Sequence, residues 1–146
     1  MPVPAPPPTA TAAMNRAETA IVREINRKRR SHGLRGVRIS GRLANVARQH
    51  SKDMLAHDAL THSSFDGSSF SARLSHAGKH RRYGETLAWA PRGSRAGARV
   101  IVRMWLRSAM HRAVLLDGSL RRIGVGRVYG SMGRQAGNAI TADFSS

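Results

Sequence analysis

From Asn15 onward the apolar positions recur at helical spacing. Ala17, Ile21, Val22 and Ile25 form one stripe, the mark of a helix with one face in a core. Asn15 with Glu18 three residues on reads as a capping box, and Met14 is placed to staple the first turn. The run Arg27-Lys28-Arg29-Arg30 reads as a solvated face that also suits the helix dipole, and Gly33 stops the helix. A second helix is expected from Ser40, carrying Leu43, Ala44, Ala47, His50, Met54 and Leu55 on one side, with His50 as a core-edge residue and not a ligand. Residues 58–69 are polar and turn-rich, tightest at Asp66-Gly67. A short helix with Phe70, Leu74 and Ala77 follows and ends at Gly78.

The period then changes. YGETLAW (83–89) reads as a strand entered through Gly84. Ser94 is expected to open another helix, with Gly97, Val100, Ile101, Met104 and Trp105 facing inward. SAMHRAVLL (108–116) adds one more helical turn. RIGVGRVYG (122–130) alternates as a strand in which Gly124 and Gly126 permit close backbone approach. A loop at 130–133 returns the chain into a last strand through Ile140, Ala142 and Phe144. This order predicts an α+β fold: an α-β-α sandwich with a small three-stranded antiparallel sheet between helices. No internal repeat is present.

Composition refines the picture. With 146 residues the chain has room for one core. Five of its six prolines fall in residues 1–13, which therefore read as a disordered Pro/Ala-rich tail ahead of a domain at 14–146. That tail has neither a basic start nor a long apolar centre, so it does not read as a signal peptide, and an export signal is expected upstream or already removed. No apolar run approaches the ~20 residues needed to span a bilayer. There are no cysteines, hence no disulfide and no thiolate metal site. The net charge is +17, which favours polyanions: anionic envelope polymers, lipid surfaces or, non-specifically, nucleic acid. The arginines are spread along the chain, as in proteins from GC-rich genomes, and no base-reading element accompanies them.

Several segments in one order resemble the CAP superfamily (cysteine-rich secretory, antigen 5 and pathogenesis-related proteins), in its bacterial SCP-like extracellular form. GLRGVRISGRLANVARQHSKDM (33–54) resembles the family's opening. THSSFDGSSFSARLSHAG (61–78) resembles its "sHxspDGxsxxxRlxxaG" loop, and GETLAW its "GENIA". MWLRSAMHRAVLL (104–116) resembles "xWmxSpgHRaniL", RRIGVGRVYG its "xxiGvG" strand, and ITADFSS (140–146) its closing "xtqdF". Each motif is weak alone; six in order are not.

The resemblance implies a cleft built from His62, His111 and Glu85. Two departures stand out. The second glutamate of many eukaryotic members is missing, since Leu106-Arg107-Ser108 holds no acid, and Thr86 replaces the usual Asn after the first acid. Converged, two neutral imidazoles would make a weak site for a divalent cation, zinc first, with Glu85 as a ligand or as an orienting partner. The rival reading is a structural hydrogen-bonded network with Glu85 as its hub. Ser63, Ser64 and Ser108 lie near the histidines in the carried-over map, but no G-x-S-x-G or H-E-x-x-H motif is present. The expectation is an extracellular or wall-associated binding module, monomeric and without confident catalytic residues. A metal-assisted hydrolase using the same cleft and a non-specific polyanion or nucleic-acid binder stay open as alternatives.

Overall fold

The computed structural model describes residues 14–93 and 97–146. The expected tail at 1–13 and the helix opener Ser94 fall outside the described residues. The elements run α1 (Arg16–Ser31), β1 (Arg38–Ile39), α2 (Gly41–Ala56), α3 (Phe70–Leu74), β2 (Tyr83–Pro91), α4 (Ala98–Arg107), α5 (Ala109–Leu115), β3 (Arg122–Met132) and β4 (Gln135–Ser145).

The local signals hold. The Asn15 side chain accepts from the Glu18 amide and the Glu18 carboxylate accepts from the Asn15 amide, which satisfies two orphan donors at the start of α1. Ser40 caps α2 by accepting from Leu43. Gly33 follows α1 at φ +73°, a conformation that costs glycine nothing. His50 is a core-edge residue as expected, with Nε2 against the Thr61 carbonyl at 2.7 Å.

The sheet has four strands, ordered β1-β3-β4-β2, and is mixed, not the three-stranded antiparallel sheet expected. The extra strand is two residues long. Arg38 and Ile39 pair in parallel with Arg122 and Ile123, and both are exposed, so no alternation could announce them. The hairpin is also longer than read: β3 continues through 130–132, and the turn is Gly133-Arg134.

Helices cover both faces. Ile21, Val22 and Ile25 of α1, Ile101, Val102 and Trp105 of α4 and Leu115 of α5 pack against Ile123, Val125, Ile140, Ala142 and Phe144. The opposite face meets α2 and α3 through Leu43, Met54 and Leu74. Strand alternation places Gly124 and Gly126 under α2. A Cβ on Gly124 would lie 2.0 Å from the Ala44 amide nitrogen, and one on Gly126 would lie 2.3 Å from the Arg48 Cα. Gly124→Ala should therefore lift α2 off the sheet and cost about 2–3 kcal/mol in urea unfolding, the range for overpacking against backbone. A loss below about 0.5 kcal/mol would show that α2 slides freely.

Three face assignments are corrected. Ala17 is exposed and Glu18 takes its place inside. Gly97, Val100 and Met104 point outward, and Val102 is the buried residue. The face of α4 that joins the core beside α1 runs through Ile101, Val102 and Trp105. Arg29, read as part of a solvated basic run, is fully buried. Its guanidinium donates to the carbonyls of Arg35, Leu115, Asp117 and Leu120.

Candidate functional site

Glu85 occupies the third position of β2, in register with Asp143 on β4. Both side chains face the α2 layer and both are buried. His62, in the loop after α2, sets Nδ1 2.9 Å from Glu85 Oε1. Arg73, on α3, donates Nη1 to Glu85 Oε2 at 2.7 Å and Nη2 to Glu85 Oε1 at 3.2 Å. The same guanidinium holds the loop, donating to Ser64 Oγ and to the His62 carbonyl. Its Nη1 lies 3.6 Å from Asp143 Oδ2. Glu85 is thus the hub that ties the 58–69 loop and α3 to the sheet.

Two carboxyls side by side cannot both ionise cheaply. Burial pushes Glu85 up, but hydrogen bonds from His62, Asp143 and Arg73 and the Arg73 charge outweigh it and bring the carboxyl down to about 2. Asp143 goes the other way. Burial first, then the Glu85 charge and their shared hydrogen bond, hold it well above the ordinary carboxylate range. Among the described residues no N–H or hydroxyl group reaches the Asp143 oxygens, and the carboxyl that burial keeps protonated faces Glu85 across the strand pair. An ionised Glu85 only accepts, so His62 Nδ1 carries the proton that meets it.

A cavity of about 380 Å³ opens beside this hub. His62, Glu85 and His111 line it together with Phe70, Tyr83, Gly84, Ser108, Met110 and Val114. The three residues singled out from the sequence therefore share one concavity. His111 sits on α5, within the segment read as one more helical turn. Burial, and then the His62 charge, lower the affinity of His111 for a proton. Of the three serines near the carried-over histidines, Ser108 lines the cavity and Ser64 serves Arg73. Ser63 is exposed, its amide donating to Thr61 Oγ1.

Arg73 and Asp143 were not singled out, although both stand inside quoted motifs. Arginine is written in the loop pattern and aspartate in the closing one. His50 belongs to the same neighbourhood: burial lowers its affinity for a proton, and its Nδ1 has no partner among the described residues.

The profile of the cysteine-rich secretory protein family, CAP, matches residues 22–144. The chain belongs to that family. This CAP domain does so without a single cysteine. No curated protein sequence matches it. Among solved structures it is similar to an outer surface protein of Borrelia burgdorferi, with 20% identity, TM-score 0.74, and coverage of 92% of this chain and 96% of the other. It is also similar to an SCP-domain extracellular protein of Bacillus anthracis, at 24% identity and TM-score 0.70, covering 92% of this chain and 44% of that one. A cysteine-rich secretory protein of Staphylococcus aureus follows at 18% identity and TM-score 0.66, covering 88% and 38%. The CAP domain thus spans less than half of the last two chains, and at these identities the likeness concerns the fold.

The donor set bears on a metal. Both Glu85 oxygens are engaged by Arg73 and His62. Among the described residues no group of three or more His, Cys, Asp or Glu side chains is placed to hold a metal ion. Two imidazoles remain, short of the three or four protein ligands of an established zinc site. Glu85 therefore fits the role of orienting partner and not that of ligand.

Proposed function

We propose that this CAP domain is an extracellular binding module whose cavity takes a small, largely apolar ligand with one polar end. The observation that carries the reading is the lining of the cavity. Phe70, Tyr83, Met110 and Val114 supply apolar wall, while His62 and His111 supply the polar groups that would fix orientation. Glu85 lines the cavity with both oxygens already engaged by His62 and Arg73, and so supports the site. The extracellular placement rests on the family's secretory character and on neighbours described as extracellular or outer-surface proteins. A divalent cation, zinc included, would rest on His62 and His111 alone, and therefore weakly.

One observation favours the hydrolase reading: a carboxylate orients His62, as in acyl-transfer triads. Against it, no serine or threonine hydroxyl bonds to His62 among the described residues. The test uses an apolar environment-sensitive naphthalene fluorophore as probe and a panel of ester and peptide substrates. The probe should bind at one site per chain, and Met110→Glu or His62→Ala should weaken it about tenfold or more while the melting temperature holds. Met110 is 80% exposed, so its change does not threaten the core. Probe binding that both variants leave intact would reject the cavity as the site. Turnover above background that His62→Ala abolishes would replace the binding module by the enzyme.

A further inference from the structure

The outer surface of the α1–α4–α5 layer is cationic and also apolar. On α1, Arg23 and Arg30 are exposed on the side opposite the buried Ile21, Ile25 and Arg29. Both carboxylates of α1 are turned inward and matched, Glu18 by Arg48 and Glu24 by Arg27. On α4, Arg99, Arg103 and Arg107 recur at one-turn intervals opposite the buried Ile101, Val102 and Trp105. None of these five arginines pairs with a carboxylate among the described residues. Beside the α4 arginines on the helix surface stand Val100 and Met104, each 45% exposed. The exposed acids lie elsewhere: Asp58 and Asp66 are both in the loop that follows α2.

We propose that this helical layer is a docking surface for an anionic lipid bilayer. The arginines would meet headgroup phosphates, and Val100 and Met104 would enter the acyl boundary. An amphipathic helix with arginines flanking exposed apolar side chains has the composition of an interfacial helix. Charge alone would suit any polyanion. The apolar residues decide the occupant, because a polyphosphate or nucleic-acid backbone offers nothing to cover them. Trp105 is the one Phe, Tyr or Trp in these three helices, and it is buried, so this surface offers no aromatic platform for a base. No helix of the described chain is long and apolar enough to cross a membrane; the contact is peripheral. The proposal goes beyond the cavity reading and does not depend on it.

The experiment is sedimentation of the full chain with phosphatidylcholine vesicles, with and without phosphatidylglycerol, and beside them binding to soluble polyphosphate and duplex DNA. Of the two vesicle types only the anionic one is expected to bind, and more tightly than either soluble polyanion. The triple change Arg99→Glu, Arg103→Glu, Arg107→Glu should lower it by about a hundredfold. The triple change Arg42→Glu, Lys52→Glu, Arg134→Glu alters net charge equally on α2 and the hairpin turn, and should leave binding within about threefold. Val100→Ser with Met104→Ser should weaken vesicle binding about tenfold and leave polyphosphate binding unchanged. Melting temperatures confirm that each variant is folded. Equal losses from both charge reversals, no effect of the serine pair, or preference for polyphosphate or DNA over vesicles would each overturn the proposal. His62→Ala, which tests the cavity, should leave vesicle binding untouched, so failure of one reading is distinguishable from failure of the other.

Discussion

Replacing Arg29 by methionine should lower the unfolding free energy by about 4 kcal/mol, in a domain whose total is expected near 5–15. The guanidinium is fully buried and donates to four backbone carbonyls. One of them, Leu115, is the last residue of α5. Its carbonyl is an orphan of the helix end, where a cation is favoured by the helix dipole. Leu120 and Asp117 lie in the connection to β3, and Arg35 in the connection from α1 to β1. Methionine fills much of the volume but leaves buried carbonyls unpaired, at about 1–3 kcal/mol each, with partial relaxation bringing the sum down. Lysine restores the charge without the planar fork and should recover less than half. Urea unfolding of the three proteins is the measurement. A methionine variant within about 1 kcal/mol of the parent would mean that water replaces the guanidinium.

The second large effect concerns the carboxyl pair, and it is an effect of combination. Asp143→Asn keeps a donor toward Glu85 and should change stability at neutral pH by less than about 1 kcal/mol. Glu85→Gln should cost about 1–2 kcal/mol, because Asp143 then gives up its proton and becomes the counter-ion of Arg73. The double variant leaves Arg73, with 11% of its side chain exposed, facing no anion, and should cost about 3–5 kcal/mol. The excess over the sum is the coupling of the two carboxyls. The pH dependence follows with opposite signs. Glu85 is depressed to about 2 from an ordinary 4.5, so its contribution is complete above 4.5 and is lost as pH falls toward 2. Asp143 is raised, so its contribution is complete below 3.8 and is lost as pH rises through the raised value. Asp143→Asn should therefore flatten the upper side of the profile and leave the acid side standing. Urea melts at a series of pH values test this, and strict additivity of the single changes would remove the shared proton from the account.

What the sequence disclosed was local. The Asn15–Glu18 capping box, the Ser40 cap and the Gly124 and Gly126 approach each depend on a few neighbouring residues or on strand alternation, and each is present. His62, Glu85 and His111 were legible only through the family resemblance, since no periodicity links positions so far apart. The misses share one cause. Arg29 looks like its neighbours in a basic run, and its acceptors are backbone carbonyls, mostly 86–91 residues later, which no side-chain pattern encodes. Asp143 gains its partner from cross-strand register. Val100 and Met104 adjoin Ile101 and Trp105 at helical spacing, but the face that docks runs through Val102 instead.

Arg29 also has a consequence for the environments this fold can tolerate. It fastens the end of the first helix to a segment late in the chain, as a covalent cross-link would. The cross-link here consists of hydrogen bonds from a group that neither oxidises nor exchanges. With no thiol in the chain, thiol–disulfide exchange has nothing to act on. The domain can therefore fold without an oxidant or an isomerase, and it keeps the same internal tie in a reducing compartment as in an oxidising one.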